Sequence, residues 1–530
     1  MSAPAVPSAA RWWTLVIVSV AAFMLILDLS IVAVALPSIR TSLHADLSEL
    51  QWVFDAYALT LAAFLVIAGS VADAGGRKRT FITGLAGFWA ASIACGLAQD
   101  IVALDAARAA QGVGAAVMFA VGPALLGHEF HGKERATAFA AFGAATGVAA
   151  AGGPLIGGAL TSGSGWRWIF LMNVPIGLVL IPLALRTLRE SRLANPAPPD
   201  VAGMVAFTVS LAAIVLAIIR GNADGWFSAG NTALYALSAV GLAVFLGMAR
   251  ARGGRAMFDL RMLGDRTFLG LSLATLLVNA CGMPFIFIAT TYLQSVLNGS
   301  AWQAGLRFLP MTIAMFCCGA LAGALPRKVP FRALLAVAVA AVGAGALLTS
   351  LSDAGSGWTS LIPALVVTGV GIGLFMPTRA ALSIGVFEPE RAGVASGINE
   401  TFQQVGIALG LAVAGAFFEN RVIAAFRDSA AGARLGPGAT EAGSAISAGN
   451  IDAVAGSAPP GTAADLVADG RAAFTDAFHQ TMALCAVLAF LAAVIALVSV
   501  SNKALHESAL TGVPPELPDQ VPPPASEKVG

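Results

Sequence analysis

Ionisable and amide side chains stand where this sequence is otherwise apolar. Asp28 lies in an uncharged run that begins at Trp12, about 22 Å along a helix that rises 1.5 Å per residue. A lone charge at that depth of a bilayer costs at least ~2.5–3.5 kcal/mol, so this acid is expected to face an aqueous crevice or to carry a proton. Asp55, about one turn inside the second apolar run, is either a second such group or a carboxylate solvated by water at the membrane surface. Arg108 and Gln111 share one face of the fourth run, and Asp105, three residues before Arg108, is a ready ion-pair partner for it. Asn399, Glu400, Gln403 and Gln404 form a polar stripe near the start of the thirteenth run. That stripe must face protein rather than lipid, either lining a solute path or bonding between helices. Met283, Phe285, Phe287, Phe308, Met311 and Met315 make either an adaptable wall for lipophilic solutes or ordinary packed core.

Other chemistries find no residues. The five histidines fall in loops or at helix ends, so no buried bis-histidine haem site can be built. Gly127 to Lys133 has the spacing of a phosphate-binding loop, but Glu134 stands where a Ser or Thr must hold magnesium. The five cysteines lie in apolar runs without C-x-x-C spacing, which offers neither a disulfide framework nor a metal pair. No catalytic residue, metal or cofactor is expected, and the chain is not read as an enzyme.

The elements that carry these residues follow from composition. Of 530 residues 58% are apolar and 11% charged, against roughly 25% charged in a soluble domain. The net charge of +1 argues against a nucleic-acid partner. Runs long enough for a bilayer core predict fourteen transmembrane helices: Trp12–Leu36, Leu50–Ala72, Thr80–Ala98, Ile101–Leu126, Ala136–Leu160, Ile169–Leu185, Val201–Ile219, Ala233–Met248, Phe268–Tyr292, Ala304–Leu325, Ala333–Leu351, Leu361–Val386, Val394–Phe418 and Thr481–Val500. The first run is too long for a cleaved leader. Lys and Arg favour one set of loops roughly threefold, which places both termini in the cytoplasm.

The outer sets of six runs are copies. Gly69-Ser-Val-Ala-Asp73-Ala-Gly-Gly76-Arg77-Lys78 recurs as Gly319-Ala-Leu-Ala-Gly323-Ala-Leu-Pro-Arg327-Lys328, Gly112-Val-Gly114 as Gly369-Val-Gly371, and Glu134-Arg135-Ala136 as Glu390-Arg391-Ala392. All three matches sit at an offset of about 250 residues, the mark of an internal repeat. The expected organisation is a tail (1–11), a six-helix bundle (12–185), a linker with helices 7 and 8 (186–266), a second bundle (267–500) containing an extracytoplasmic loop (421–477), and a disordered cytoplasmic tail (501–530). A short helix over Ala463–Ala477 is expected to lead into the last run.

These segments closely resemble the major facilitator superfamily, in particular its fourteen-helix drug:proton antiporter branch. The loop after helix 2 is similar to the family's G-x-L-A-D-R-x-G-R-K pattern at Gly69, Asp73, Gly76, Arg77 and Lys78, with Val71 and Ala74 departing from it. Arg108-Ala-Ala-Gln111-Gly112-Val-Gly114 matches R-x-x-Q-G-x-G, and Leu27-Asp28-Leu-Ser30 with Ala35-Leu36-Pro37 is similar to the branch's first-helix element. Trp166-Arg-Trp-Ile-Phe with Asn173-Val-Pro175-Ile-Gly177 also looks like this branch. Gly153, Pro154, Gly157 and Gly158 fit the antiporter motif of helix 5, whose two earlier glycines are here Ala140 and Ala149.

The resemblance implies an all-α polytopic membrane protein of major facilitator fold, two pseudo-symmetric six-helix bundles with two extra linking helices. It implies alternating access around a midplane site. Gly69, Asp73, Gly76, Arg77 and Lys78 would latch the bundles in one state. Asp28 and Asp55 would take up the coupling proton or contact a cationic solute, with Arg108 tuning them; Gln111, Glu400, Gln403 and Gln404 would complete the path. The expected activity is export of lipophilic or cationic drugs in exchange for protons, with export of an endogenous metabolite, amino acid or lipid as the alternative. The expected partners are a small-molecule substrate, protons and the lipid bilayer of the cell membrane, with the chain acting as a monomer.

Overall fold

The computed structural model describes residues 8–45, 47–130, 132–192, 201–253, 260–322, 329–353, 355–387, 392–456 and 462–501. Arg327, Lys328, Glu390, Arg391 and the tail from 502 lie outside the described residues, as do the side chains of Asp73 and Pro154.

Each of the fourteen apolar runs falls on helical chain. The first bundle comprises α1 (Ser8–Leu43), α2 (Leu47–Gly75), α3 (Arg77–Leu97), α4 (Ile101–Glu129), α5 (Gly132–Gly163) and a sixth helix broken into α6 (Trp168–Leu171) and α7 (Asn173–Thr187). The linker folds as α8 (Val201–Asp224) and α9 (Ala229–Arg252). The second bundle contains α10 (Arg266–Thr291) with a π-helical turn to Val296, α11 (Ala301–Arg307), α12 (Leu309–Ala322), α13 (Phe331–Leu348), α14 (Ile362–Gly385) and α15 (Ala392–Arg427). Three short helices follow, α16 (Ala430–Leu435), α17 (Ala439–Ser447) and α18 (Ile451–Gly456), before α19 (Ala463–Ser499) closes it. Among the described residues ten helices are long and apolar enough to cross a membrane. Local chemistry sets several starts: Asp100 accepts from the Ala103 amide at 2.8 Å, Asp265 from that of Phe268 at 2.8 Å, and Ser300 forms a capping box with Gln303.

The two bundles pack alike. In the first, α1 lies on α5, α2 and α3 lie on α4, and α7 covers α3 and α1. In the second, α10 lies on α15, α12 and α13 lie on α14, and α19 covers α13 and α10. The repeated Gly-Val-Gly explains part of this. Gly112 meets the backbone of Tyr57 on α2 and Gly114 meets Phe88 on α3, while Gly369 meets Met311 on α12 and Gly371 meets Ala338 on α13. Backbones approach this closely only where no Cβ intervenes.

Between the bundles, α2 packs on α15 and α5 on α11 and α12. The joint is closed at the end where α1 finishes, here the distal end. There Arg40 donates to the Ala448 carbonyl at 2.7 Å, Gln294 to that of Val34 at 3.1 Å, and the Trp302 amide to Ser162 Oγ at 2.9 Å. Near the opposite ends of α2 and α15, Val71 and Val394 are exposed.

Within the expected connection 421–477, α15 runs through Arg427, and α16 to α18 fold over the distal ends, burying Ala431, Ile446 and Ile451 in one cluster with Phe474 and Phe478. The helix expected over Ala463–Ala477 leads into the last run without a break, as the first part of the 37-residue α19.

Candidate functional site

The first bundle holds a buried polar knot. Arg108 and Gln111, one turn apart on α4, point together at Asp28 on α1. Arg108 Nη1 forms an ion pair with Asp28 Oδ2, and Gln111 Nε2 donates to Asp28 Oδ1 at 2.9 Å. Arg108 Nη1 also donates to Gln111 Oε1 at 2.7 Å, and its Nε to the Val53 carbonyl at 2.9 Å. Gln111 Nε2 donates in addition to Ser92 Oγ at 2.8 Å, which Asn173 Nδ2 reaches at 3.3 Å. The guanidinium lies over the Tyr57 ring, 4.3 Å from its centroid. Five helices thus converge on one carboxylate that is 2% exposed. Both of its oxygens accept hydrogen bonds, one of them from a cation. Protonation would break the pair and leave Arg108 uncompensated, which is the chemistry of a proton-operated switch.

This geometry corrects two expectations. Arg108 pairs with Asp28 and not with Asp105, whose Oδ1 has no hydrogen-bond partner. Asp28 does not face a crevice in this conformation. The next two residues, Leu29 and Ser30, line a small apolar cavity between the bundles with Phe54, Met283, Ile286, Phe287 and Leu411. Asp28, about 100° round the helix from Leu29, is turned into the bundle, and its charge is met by a cation instead of water. Of the predicted Met/Phe wall, Met283 and Phe287 line the cavity, whereas Phe285, Phe308, Met311 and Met315 are buried in packing.

Of the two readings of Asp55, solvation by surface water does not hold in this conformation: the residue is 0% exposed and neither carboxylate oxygen has a partner among the described residues.

In the second bundle the polar stripe meets a residue that spacing did not single out. Arg379 on α14 donates to Glu400 Oε2 through Nη1 and Nη2, both at 3.1 Å, and to Asn399 Oδ1 at 3.1 Å. Glu400 Oε1 accepts from Gln404 Nε2 at 3.1 Å, and Asn399 Nδ2 donates to Thr275 Oγ1 on α10 at 3.2 Å. Gln403 Oε1, Gln404 Oε1 and Arg379 Nε are buried without partners. Arg379 was legible by the criterion that picks out Arg108, a single cation inside an apolar run.

The loop after α2 is organised by another residue missed in the sequence. Gly76 has φ +115°, and a Cβ there would lie 2.6 Å from the Glu190 carboxylate. That carboxylate accepts from the Lys78 amide at 3.0 Å and the Arg79 amide at 3.3 Å, occupying the start of α3. Arg77 bonds through its amide to the Ser191 carbonyl at 2.9 Å and Lys78 Nζ to that of Leu185 at 2.7 Å. These contacts tie the start of α3 to the end of α7 and to the first linker residues after it. Gly69 has open space around it. In α5, Gly153 abuts Ser30, a Cβ on Gly157 would lie 3.0 Å from the Ile31 carbonyl, and Gly158 is buried.

Residues 18–411 match the Major Facilitator Superfamily. The tetracenomycin C resistance and export protein of Streptomyces glaucescens is 32% identical over 498 residues, 92% of this chain and 91% of that protein. The multidrug resistance protein Stp of Mycobacterium tuberculosis is 33% identical over 408 residues, 76% and 75% of the two chains. A puromycin resistance protein of Streptomyces alboniger is 34% identical over 418 residues, 77% and 82%. Among solved structures, a bacterial homologue of the human lysosomal transporter Spinster, inward-facing and occupied, superposes with TM-score 0.65 at 16% identity, covering 94% of this chain and 99% of that one.

Proposed function

Because the chain belongs to the Major Facilitator Superfamily, in its drug-efflux branch, and is therefore a multi-pass membrane transporter rather than an enzyme, we propose that it exports small lipophilic or cationic compounds in exchange for protons. The observation that carries the proton half is the buried Asp28–Arg108 pair. An acid held inside the bundle by one cation and one amide can hand that cation over when it takes a proton. We assign the coupling proton to Asp28, with Arg108 and Gln111 positioning it, and a share in the solute path to Glu400, Gln403 and Gln404. Two apolar walls meeting at Met283, Phe54 and Phe287 suit a lipophilic solute.

In this reading the chain crosses the cell membrane fourteen times as a monomer, both termini are cytoplasmic, and the distal end faces outwards. The structure described is then closed to the outside. One proton crossing 100 mV yields about 2.3 kcal/mol, enough for roughly 40- to 50-fold accumulation. A second reading is favoured by the relative whose name couples resistance with export of tetracenomycin C: the cargo is a metabolite made by the same cell.

The test is drug susceptibility of a host stripped of its own pumps, with and without this chain, over a panel of cations and natural products. Resistance that collapses with an uncoupler supports proton-driven export. No change in susceptibility to any compound, with the protein present in the membrane, removes the drug reading in favour of an endogenous cargo.

A further inference from the structure

The two faces of α2 do different things. Val53, Tyr57 and Thr60 look towards α4, where Arg108 takes the Val53 carbonyl and Gly112 meets Tyr57 and Thr60. Asp55 stands three and four residues before Ala58 and Leu59, which places it on their face. That face packs against Leu211 and Val215 of α8 and Ile407, Ala408 and Ala412 of α15. It is the seam where the first bundle meets the second, with α8 laid across both.

An ionised carboxylate does not fit there. Both oxygens of Asp55 are buried without a partner, and the effective penalty for such a charge is several kcal/mol. No neighbour repays it. Asp105 of α4 is another acid with an orphaned oxygen, and Arg108 is engaged with Asp28. The α8 and α15 residues named above are apolar, and of the amides one turn before Ile407 and Ala408, Gln404 donates to Glu400 at 3.1 Å. Elsewhere on those helices Arg220 pairs with Asp224 at 3.8 Å, Glu400 with Arg379, Glu419 bonds Ser444, Arg421 lies over Phe417, and Arg427 is 3.8 Å from Asp428. Glu441 on α17, which also touches α2, is exposed.

We propose that Asp55 is a proton-operated latch: the bundles close on this seam only while its carboxyl is protonated. Parting α2 from α15 gives the group to water, where the proton leaves and the charge opposes closure until a proton returns. Because the same compartment supplies and receives that proton, Asp55 sets the balance between conformations and does not carry a proton across. The inference rests on alternating access as proposed above, and not on the identity of the cargo.

The test measures distances by electron–electron resonance in the full chain in nanodiscs, its five cysteines replaced and labels placed at Ser42 and Asp428, both exposed at the distal end. From about pH 5 to about pH 9 the closed-to-open ratio of the otherwise unaltered chain should fall, by up to about tenfold per pH unit, the limit for one proton. Asp55→Asn, and Asp55→Ala as a second neutral variant, should still favour the closed state at high pH and lose most of that fall. An unaltered chain that does not respond to pH overturns the latch, as does a neutral variant whose closed-to-open ratio falls as far as that of the unaltered chain. The export reading fails separately, by absence of resistance in the pump-deficient host, whatever the labels do.

Discussion

Gly153 on α5 and Ser30 on α1 touch so closely that a Cβ on the glycine would overlap the serine Oγ. That hydroxyl is itself held by the carbonyls of Leu27 at 3.1 Å and Ala149 at 3.4 Å, so it has no free direction in which to yield. Gly153→Ala should therefore destabilise the protein by about 1–3 kcal/mol, as overpacking does, and lower its melting temperature in detergent. Gly69→Ala is the contrast. Among the described residues nothing lies within 4 Å of a Cβ at Gly69, and replacing a helical glycine is worth roughly 0.5–1 kcal/mol, so melting should not fall. A Gly69→Ala protein that melts normally but exports poorly would show that this glycine is needed in a conformation other than the one described.

Asp28 and Arg108 should behave as a unit. Asp28→Asn removes one charge and leaves Arg108 buried and uncompensated, a loss of roughly 3–5 kcal/mol when a buried pair is broken. Adding Arg108→Gln should recover much of that stability, since both charges are then gone. Export should not recover, because the acid is absent in both variants. The measurement is a double-mutant cycle on melting, read beside uncoupler-sensitive efflux of a dye. Equal destabilisation in the single and double variants would mean that the ion pair does not govern stability, and full efflux by Asp28→Asn would end its role in coupling.

The helices were legible because a bilayer demands apolar runs of a set length, and the pairing of bundles because glycines recur at equivalent places. The partnerships were not. Asp28 and Arg108 are 80 residues apart, and Asp105 was the nearer candidate on the same helix; only the approach of α1 to α4 decides between them. Nothing in the spacing of Glu190 singles it out, since its role depends on the left-handed turn at Gly76 bringing the start of α3 to it. The distal helices α16 to α18 are short and rich in glycine, alanine and serine, far below the length a bilayer demands, so the criterion that marks the spans passes over them. Asp55 was visible as an acid near a helix end, but its burial depends on α8 and α15, which join it from far along the chain.

Glu190 anchors the start of α3 through two backbone amides, with its side chain 32% exposed. Replacing it with Ala should cost about 0.5–2 kcal/mol, as losing a helix cap does. Glu190→Gln should cost less, because the amide oxygen still accepts while only the charge at the helix start is lost. Gly76→Ala should be worse than either, because it combines a left-handed φ with a collision against that same carboxylate. Melting curves of the three variants give the order, and a Gly76→Ala protein as stable as Glu190→Gln would contradict it.

Arg379 is the cation paired with Glu400 inside the second bundle, where their side chains are 12% and 6% exposed. Arg379→Ala leaves the carboxylate with Gln404 as its remaining described donor, and roughly 3–5 kcal/mol of stability should go with the broken pair. Arg379→Ala combined with Glu400→Gln has no such orphan and should recover much of that stability. Melting temperatures of the single and double variants, with efflux measured alongside, separate two roles for Arg379. Recovery of both stability and export in the double variant makes the pair a structural brace, whereas stability regained without export places Glu400 in the transport path.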